Sequence, residues 1–218
     1  MNMISLYGSY LDAVGRSFLV SGWAILIATV LGISLALLIS LHDFKLKKIV
    51  ITFINTWTAL PAVSIGLIVY ILLSSRGPLG NFHLLFTVYA MIIAQALLAT
   101  PLVCALSLSV LSAIAPEIRE TALTLGANKF QLIATILREA KYPLVTAVIV
   151  AFSRLLGETG MTLMVGGNIK GYTRVMTTAI ALETMKGNFE VGITLGIILI
   201  IWALLLNIVV QLIQHYIR

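Results

Sequence analysis

Two charged residues interrupt an apolar stretch of this 218-residue sequence and are its first candidates for chemistry. Arg154 and Glu158 are four positions apart, and Gly157 and Gly160 lie beside them. If the stretch crosses a membrane, each charge is costly unless it is paired or faces water. Two interpretations follow: a structural ion pair on one face of a helix, or the lining of a translocation path or gate, where the glycines allow close packing or local unwinding.

A second set of polar residues lies in the segment after Gly166. Asn168, Lys170 and Arg174 supply an amide and two cations there, and such groups can hold an anion or dock an acidic surface. Solvated loops also carry cations without binding anything, so both interpretations stay open. The residues that follow, 175–185, predict a short helix with apolar side chains available to bury against the rest of the chain.

The residue types that catalysis or metal binding would need are scattered. His42, His83 and His215 fall in separate loops or at a terminus, and no carboxylate cluster has metal-ligand spacing. The single cysteine, Cys104, lies in an apolar run, where it is best explained as a packing residue. The sequence also lacks a G-x-x-x-x-G-K-[ST] phosphate-binding loop. We therefore expect no catalytic residue, no metal and no cofactor bound by this chain.

The composition places these residues in a membrane protein. Hydrophobic residues make up 60% of the sequence and charged residues only 10%, whereas soluble proteins average about 25% charged residues. Four charge-free stretches exceed the roughly 20 residues that a spanning helix needs, and their even apolar character lacks the alternation of membrane β-strands. The sequence therefore predicts an all-α integral membrane protein with about five transmembrane helices. The four stretches are 17–41, 49–73, 84–115 and 191–213, and the fifth span begins near Pro143 and contains Arg154 and Glu158.

Prolines predict where these spans are interrupted. Pro61 lies in the middle of the second span, and Pro101 interrupts the third, which we expect to end before Pro116. Proline lacks the backbone N–H and its ring clashes with the preceding helical turn.

The distribution of basic residues predicts the orientation. The linker 42–48 carries three lysines, and the assignment that follows places eight of the 14 Lys and Arg residues in the cytoplasm. Residues 1–16 are then outside, 17–213 form one transmembrane domain, and 214–218 form a cytoplasmic tail. The net charge of +6 is explained by this bias rather than by nucleic-acid binding, because no basic patch interleaved with aromatic residues is present.

The polar segment 116–142 predicts a cytoplasmic helical hairpin. Pro116 is suited to open its first helix, in whose first turn Glu117 and Glu120 are favoured by the helix dipole, and Gly126 ends that helix.

Asn128 and Gln131 have the spacing of a capping box for the second helix of the hairpin. One alternative is a hairpin that lies on lipid headgroups, but its acidic residues would be repelled by anionic lipid. One face of the second helix carries Phe130, Ile133, Ala134 and Leu137 at helical spacing.

The hairpin resembles the EAA motif of permease subunits of ATP-binding-cassette importers. The resemblance implies that two short coupling helices dock on a cytoplasmic ATPase. This chain departs from the family pattern at Thr121, which replaces an alanine, and at Arg138 and Glu139, which replace a Leu-Pro pair. The residues implied in ATPase coupling are Glu120, Thr121, Ala122, Gly126, Ala127 and Ile136.

The resemblance extends from about Asp12 to Gln211 and is strongest in the segments GETG and GGNIKGYTR, which are similar to permeases for tungstate and related oxyanions. It implies the type I importer fold, a pore formed by two copies of the chain, and a separate ATPase that uses the ATP. It also implies an extracytoplasmic substrate-binding protein facing Asn168, Lys170 and Arg174, and a location in the cytoplasmic (inner) membrane of a prokaryote, in contact with lipid.

Three alternatives compete with tungstate import. A molybdate or sulfate importer would have the same architecture. A secondary transporter without an ATPase would be expected to carry several intramembrane relay residues, and only Arg154 and Glu158 qualify. A membrane enzyme is disfavoured by the scattered histidines.

Overall fold

The computed structural model describes the backbone of residues 3–217 and the side chains of residues 10–114, 118–122 and 124–215. Within these ranges the chain is built from helices joined by short connections, and a 3-10 turn, Gly80–Phe82, lies between α3 and α4. The α-helices are α1 Met3–Leu41, α2 Lys47–Ala59, α3 Ala62–Leu73, α4 Val88–Thr124, α5 Lys129–Glu139, α6 Lys141–Leu156, α7 Gly160–Gly166, α8 Met176–Met185 and α9 Phe189–Ile217.

Five spans account for the apolar part of the chain. The segments Tyr10–Leu41, Val88–Ile114 and Phe189–His215 are each long and apolar enough to cross a membrane as single helices. The other two spans are bent pairs: α2 and α3 meet at 97°, and α6 and α7 meet at 65°. The predicted number of spans is therefore confirmed if each bent pair counts as one.

The bend between α2 and α3 lies where Pro61 predicts an interruption. Leu60 and Pro61 are both extended, with ψ angles of 140° and 129°. Pro61 also cannot donate the backbone hydrogen bond that would continue α2. The proline thus converts one apolar run into two helices with different axes.

The third span contradicts the other two expectations drawn from proline. α4 continues from Val88 to Thr124, so neither Pro101 nor Pro116 interrupts it. Membrane helices tolerate proline where neighbouring groups compensate the lost hydrogen bond. Packing also holds α4 continuous, because Leu111 and Ala122, on opposite sides of Pro116, are buried in the same apolar cluster. The first helix of the hairpin is therefore the end of α4, and it does not start at Pro116.

α1 and α4 form the central contact of the bundle, and small residues bring them close together. A Cβ atom built on Gly32 would lie 2.9 Å from the Cβ of Val103, so only glycine fits at this crossing. Lipid provides no hydrophobic driving force between helices, and close backbone approach supplies the packing instead. Buried alanines continue the contact on both helices: Ala24, Ala28 and Ala36 on α1, and Ala90, Ala94 and Ala99 on α4.

The bundle has two ends that differ in structure. At the hairpin end, α5 packs on α4, and Ile39 of α1, Ala122 of α4 and Ile136 of α5 belong to one apolar cluster. At the opposite end, which we call the α8 end, α8 and the connection 167–175 contact the N-terminal half of α1. The α3–α4 connection also lies at the α8 end, where the Phe86 amide donates to the Val165 carbonyl oxygen at 2.9 Å.

Candidate translocation path and coupling surfaces

The break between α6 and α7 separates the two intramembrane charges. α6 ends at Leu156, before Glu158, so the two residues do not share a helix. Four-residue spacing places side chains on one face only while the helix continues. Among the described side chains no ion pair joins Arg154 to Glu158, and the structural ion-pair interpretation is therefore wrong.

Glu158 is instead held by hydrogen bonds at the start of α7. Its carboxylate Oε1 accepts the backbone N–H of Met161 at 3.3 Å. Its carbonyl oxygen accepts two hydroxyl groups, from Thr162 at 2.9 Å and from Thr177 at 3.0 Å. Glu158 therefore joins α7 to α8, and its carboxylate favourably meets the positive end of a short helix dipole.

Arg154 is exposed on α6 and uncompensated. Within the described part of the chain, its guanidinium makes no hydrogen bond and no ion pair. An unpaired cation in a membrane span is stable only where water, another subunit or an anion reaches it.

Gly157 and Gly160 have different roles at the break. Gly157 follows the last residue of α6, and a Cβ built on it would lie 3.7 Å from the Arg154 carbonyl oxygen, an ordinary contact. A Cβ on Gly160 would instead lie 2.6 Å from a methyl of Val63. A Cβ on Gly66 of α3 would likewise lie 3.0 Å from the Cα of Met161. The second helices of the two bent spans, α3 and α7, thus cross where Gly66 and Gly160 allow close approach.

The connection 167–175 brings two of its three predicted residues together. The Arg174 guanidinium donates from Nε to the side-chain oxygen of Asn168 at 3.1 Å and from Nη2 to its carbonyl oxygen at 3.3 Å. Asn168 itself has a φ of 50°, which this residue type tolerates better than most. Lys170 is exposed. Arg174 and Asn168 therefore shape the connection, whereas Lys170 presents its charge outward.

Thr173 was not a candidate from the sequence, although it organises this connection. Thr173 is buried, with 1% of the residue exposed. Its hydroxyl donates to the carbonyl oxygen of Gly166. The Thr173 hydroxyl oxygen also accepts the backbone N–H of Ile169 at 2.9 Å. A threonine in a polar segment gives no sequence signal for such a role, because most of them face water.

α8 is confirmed as the short helix predicted over 175–185, and it is fixed to α1 at its first residue. The Met176 amide donates to the Ser17 hydroxyl at 2.8 Å, and that hydroxyl donates to the Ala13 carbonyl oxygen at 2.9 Å. Arg16, directly before Ser17 in α1, donates from Nη1 to the carbonyl oxygen of Arg174 at 3.2 Å.

Glu183 of α8 is a buried carboxylate that the sequence analysis also missed. The residue is only 2% exposed, and its two oxygens accept hydrogen bonds from Lys186 at 2.9 Å and Asn188 at 2.8 Å. Burial raises the pKa of Glu183, but these two hydrogen bonds and the charges of Lys186 and Arg174 outweigh it, so the pKa lies below its ordinary value. Glu183 therefore closes the turn between α8 and α9 as an ionised group.

The hairpin end has the turn that Gly126 predicts. α4 ends at Thr124, Gly126 has a φ of 76°, and the Ala127 amide donates to the Ala122 carbonyl oxygen at 2.9 Å. This is the six-to-one hydrogen bond of a glycine-terminated helix. Glu120 is exposed near the C-terminal end of α4, so its predicted place in a first helical turn is wrong. The side chain of Glu117, predicted in the same turn, lies outside the described residues.

The second hairpin helix begins as its capping box predicts. Asn128 accepts the Gln131 amide at 2.9 Å, and Gln131 accepts the Asn128 amide at 2.8 Å. Leu132 and Ile136 turn inward and are buried, whereas Phe130 is 86% exposed. The apolar face singled out in the sequence thus points largely away from the chain's own core. On that face Phe130 and Ala134 are exposed, and Ile133 and Leu137 are half-buried.

Comparison with known proteins identifies the class to which this geometry belongs. Residues 28–218 match the family described as "Binding-protein-dependent transport system inner membrane component". The chain belongs to this family: it is a membrane-spanning component of a transport system, as the resemblance of its hairpin predicts.

Two relatives match nearly the whole chain. The Probable anion ABC transporter permease protein of Haloferax volcanii is 40% identical over 196 residues, which cover 88% of this chain and 84% of the relative. The Tungstate uptake system permease protein TupB of Peptoclostridium acidaminophilum is 41% identical over 199 residues, which cover 91% of this chain and 87% of the relative.

A solved structure confirms the fold. A chain of the MetNI methionine ABC transporter, in an inward-facing conformation, superposes with a TM-score of 0.81 at 17% identity, with 100% of both chains covered. The predicted fold of type I importer permeases is therefore confirmed.

Proposed function

We propose that this chain is the permease subunit of an ATP-driven tungstate importer, with its N-terminus outside and its C-terminus in the cytoplasm. The similarity to the tungstate permease of Peptoclostridium acidaminophilum, at 41% identity over 91% of this chain, carries the proposal. Two copies of the chain form the path, a separate cytoplasmic ATPase drives it, and an extracytoplasmic binding protein delivers the anion. Membrane lipid surrounds the bundle.

Arg154 is the residue through which the path favours an anion. It is an exposed cation inside a span, and Glu158 does not neutralise it, because the break at Leu156 turns the carboxylate toward α7. A second copy would bring a second Arg154 to the same path. Gly157, Glu158 and Gly160 then form the bend beside it, with the close contact between Gly160 and Val63 holding the bend against α3.

The hairpin end is the surface for the ATPase. Leu125 and Phe130 are 83% and 86% exposed there, although both are apolar. Beside them, a hollow of about 390 Å³ lies between α4 and α5 and is lined by Thr121, Ala122 and Ala127 of the family motif. An exposed apolar patch next to a preformed hollow suits a protein partner. Gly126 sets the angle between the two helices, and the buried Ile136 packs α5 against the apolar cluster that it shares with α4.

The α8 end is the surface for the binding protein. Lys170 presents its charge outward, and Arg174 with Asn168 keeps the connection in shape. An acidic surface of a partner would be attracted to this segment.

The experiment that tests the proposal is uptake of labelled tungstate by proteoliposomes that contain this chain, its ATPase and its binding protein. We expect ATP-dependent uptake that excess molybdate or sulfate barely suppresses. Uptake of molybdate or sulfate in place of tungstate would overturn the substrate and keep the architecture. Transport that continues without the ATPase would overturn the importer assignment.

A further inference from the structure

The carbonyl oxygen of Glu158 connects the α6–α7 break to a helix outside that span. This oxygen accepts two hydroxyl hydrogen bonds, and one of them comes from Thr162 of α7. Thr177 donates the other at 3.0 Å, although it is 19 positions away in the sequence and belongs to α8. The Thr177 bond therefore fixes the position of α8 relative to the break, whereas the Thr162 bond stays within one bent span.

The next residue toward the N-terminus of α8 is attached to a different element. The Met176 amide donates to the Ser17 hydroxyl of α1 at 2.8 Å. Two consecutive residues of α8 thus bind the long helix α1 on one side and the break on the other. Met176 and Thr177 are 0% and 5% exposed, so water does not compete for these bonds.

α8 is also continuous with the surface that the binding protein contacts under the proposed function. The connection 167–175 leads directly into it, and the Asn168 side chain donates to the Thr178 carbonyl oxygen at 3.3 Å. The far end of α8 is closed by the buried Glu183. A displacement of the connection therefore moves α8 as one body, and Thr177 is the place where that movement reaches Glu158.

We propose that Thr177 is a positioning residue that transmits docking of the external binding protein to the α6–α7 break. Its hydroxyl holds the Glu158 carbonyl in register with α8, so that a docked partner reorients the break and the side chains around it. This inference rests on the proposed function, because it needs a binding protein and an ATPase that respond to each other through this chain.

The test compares two replacements of Thr177 in the assembled transporter. Thr177→Val removes the hydroxyl and keeps the shape, and Thr177→Ser keeps the hydroxyl. ATP hydrolysis is measured in proteoliposomes with and without tungstate-loaded binding protein, together with the affinity of the binding protein for the transporter. With Thr177→Val we expect unchanged basal hydrolysis and unchanged affinity, but stimulation reduced about fivefold or more, as loss of one buried hydrogen bond implies. Thr177→Ser should restore the stimulation.

Thr178→Val is the matched control on the same helix. Its hydroxyl is also buried, but it bonds only with the backbone of Val175, so stimulation should persist. If Thr177→Val reduces the yield of assembled transporter, Thr177→Ala removes the same hydroxyl without a branched side chain and is measured instead.

The outcomes separate this inference from the function on which it rests. Normal stimulation in Thr177→Val, or a loss that Thr177→Ser does not repair, would overturn the role of Thr177 and leave the importer intact. A wild-type complex that tungstate-loaded binding protein fails to stimulate would overturn both.

Discussion

Ser17 and Met176 are joined by a hydrogen bond of 2.8 Å between residues 159 positions apart. The Ser17 hydroxyl accepts the first amide of α8 and donates its own hydrogen bond to the carbonyl oxygen of Ala13. A helix N-terminus buried inside a protein needs such an acceptor for its unpaired amides. One hydroxyl on α1 thus makes it possible for α8 to start inside the bundle.

Replacing Ser17 with alanine should therefore destabilise the protein. The buried Met176 amide would lose its acceptor, which costs about 1–3 kcal/mol. Thermal unfolding in detergent would show a lower midpoint for Ser17→Ala. Ser34→Ala, an exposed serine on the same helix, serves as the control and should leave the midpoint nearly unchanged. Equal midpoints for both variants would contradict the role of Ser17.

Glu183 should make stability depend on acid pH. Its pKa is lower in the folded protein than in the unfolded chain, so its contribution is fully present above the ordinary carboxyl pKa of about 4.3 and is lost as pH falls through the lower folded pKa. Tyr10, Arg174 and Lys186 are the charged or titratable groups that act on it. Unfolding midpoints measured between pH 3 and pH 7, spanning this transition, would show it.

Glu183→Gln should flatten that acid dependence and lower stability at neutral pH by roughly 1–3 kcal/mol, because the buried site loses the charge-assisted hydrogen bonds of the carboxylate with Lys186 and Asn188. Glu190→Gln, an exposed carboxylate nearby, is the control and should preserve the pH profile. An acid profile identical in wild type and Glu183→Gln would rule out Glu183 as its source.

Gly126→Asp should uncouple ATP hydrolysis from transport while the protein stays in the membrane. A side chain has room at this position, because no atom lies within 4 Å of a built Cβ. The substitution therefore changes the charge of the exposed surface and places a non-glycine residue at a φ of 76°. A carboxylate would then need to be desolvated against the ATPase, and uptake should fall roughly tenfold, equivalent to about 1.4 kcal/mol of docking energy. The measurement is the ratio of tungstate transported to ATP hydrolysed.

Gly126→Asn separates charge from conformation, because asparagine has the same shape as aspartate and tolerates positive φ. This variant should keep most of the coupling. A transport ratio unaffected by Gly126→Asp would count against docking at the turn.

Arg154→Gln should slow tungstate uptake, and Arg154→Lys should recover part of the rate. Loss of an unpaired cation from the path removes attraction for a dianion, and a factor of about ten corresponds to only about 1.4 kcal/mol. Initial uptake rates at saturating ATP provide the comparison, with Lys45→Gln, an exposed cation in the α1–α2 linker, as a control for general charge effects. Equal rates for Arg154→Gln and wild type would remove Arg154 from the path.

The sequence alone predicted those features that depend on neighbouring residues. The capping box of Asn128 and Gln131, the turn at Gly126, the bend at Pro61 and the short helix α8 are all local, and all are present. Their physical cause lies within a few residues of each position.

Features that depend on distant contacts escaped prediction or were predicted wrongly. Pro116 lies inside α4 because packing around Leu111 and Ala122 outweighs the local preference to break. Arg154 and Glu158 fail to pair because α6 ends between them. The hydrogen bonds of Ser17 and Thr177 join partners 159 and 19 positions away, which spacing cannot reveal.

The continuity of α4 has a mechanical consequence. Its 37 residues span about 55 Å at 1.5 Å per residue, whereas the apolar core of a bilayer is about 30 Å thick. The single helix α4 therefore extends from the turn at Gly126, across the whole membrane, to the α3–α4 connection. If a partner tilts α5, the opposite end of α4 is displaced sideways, and α1 moves with α4 because the two helices are closely packed.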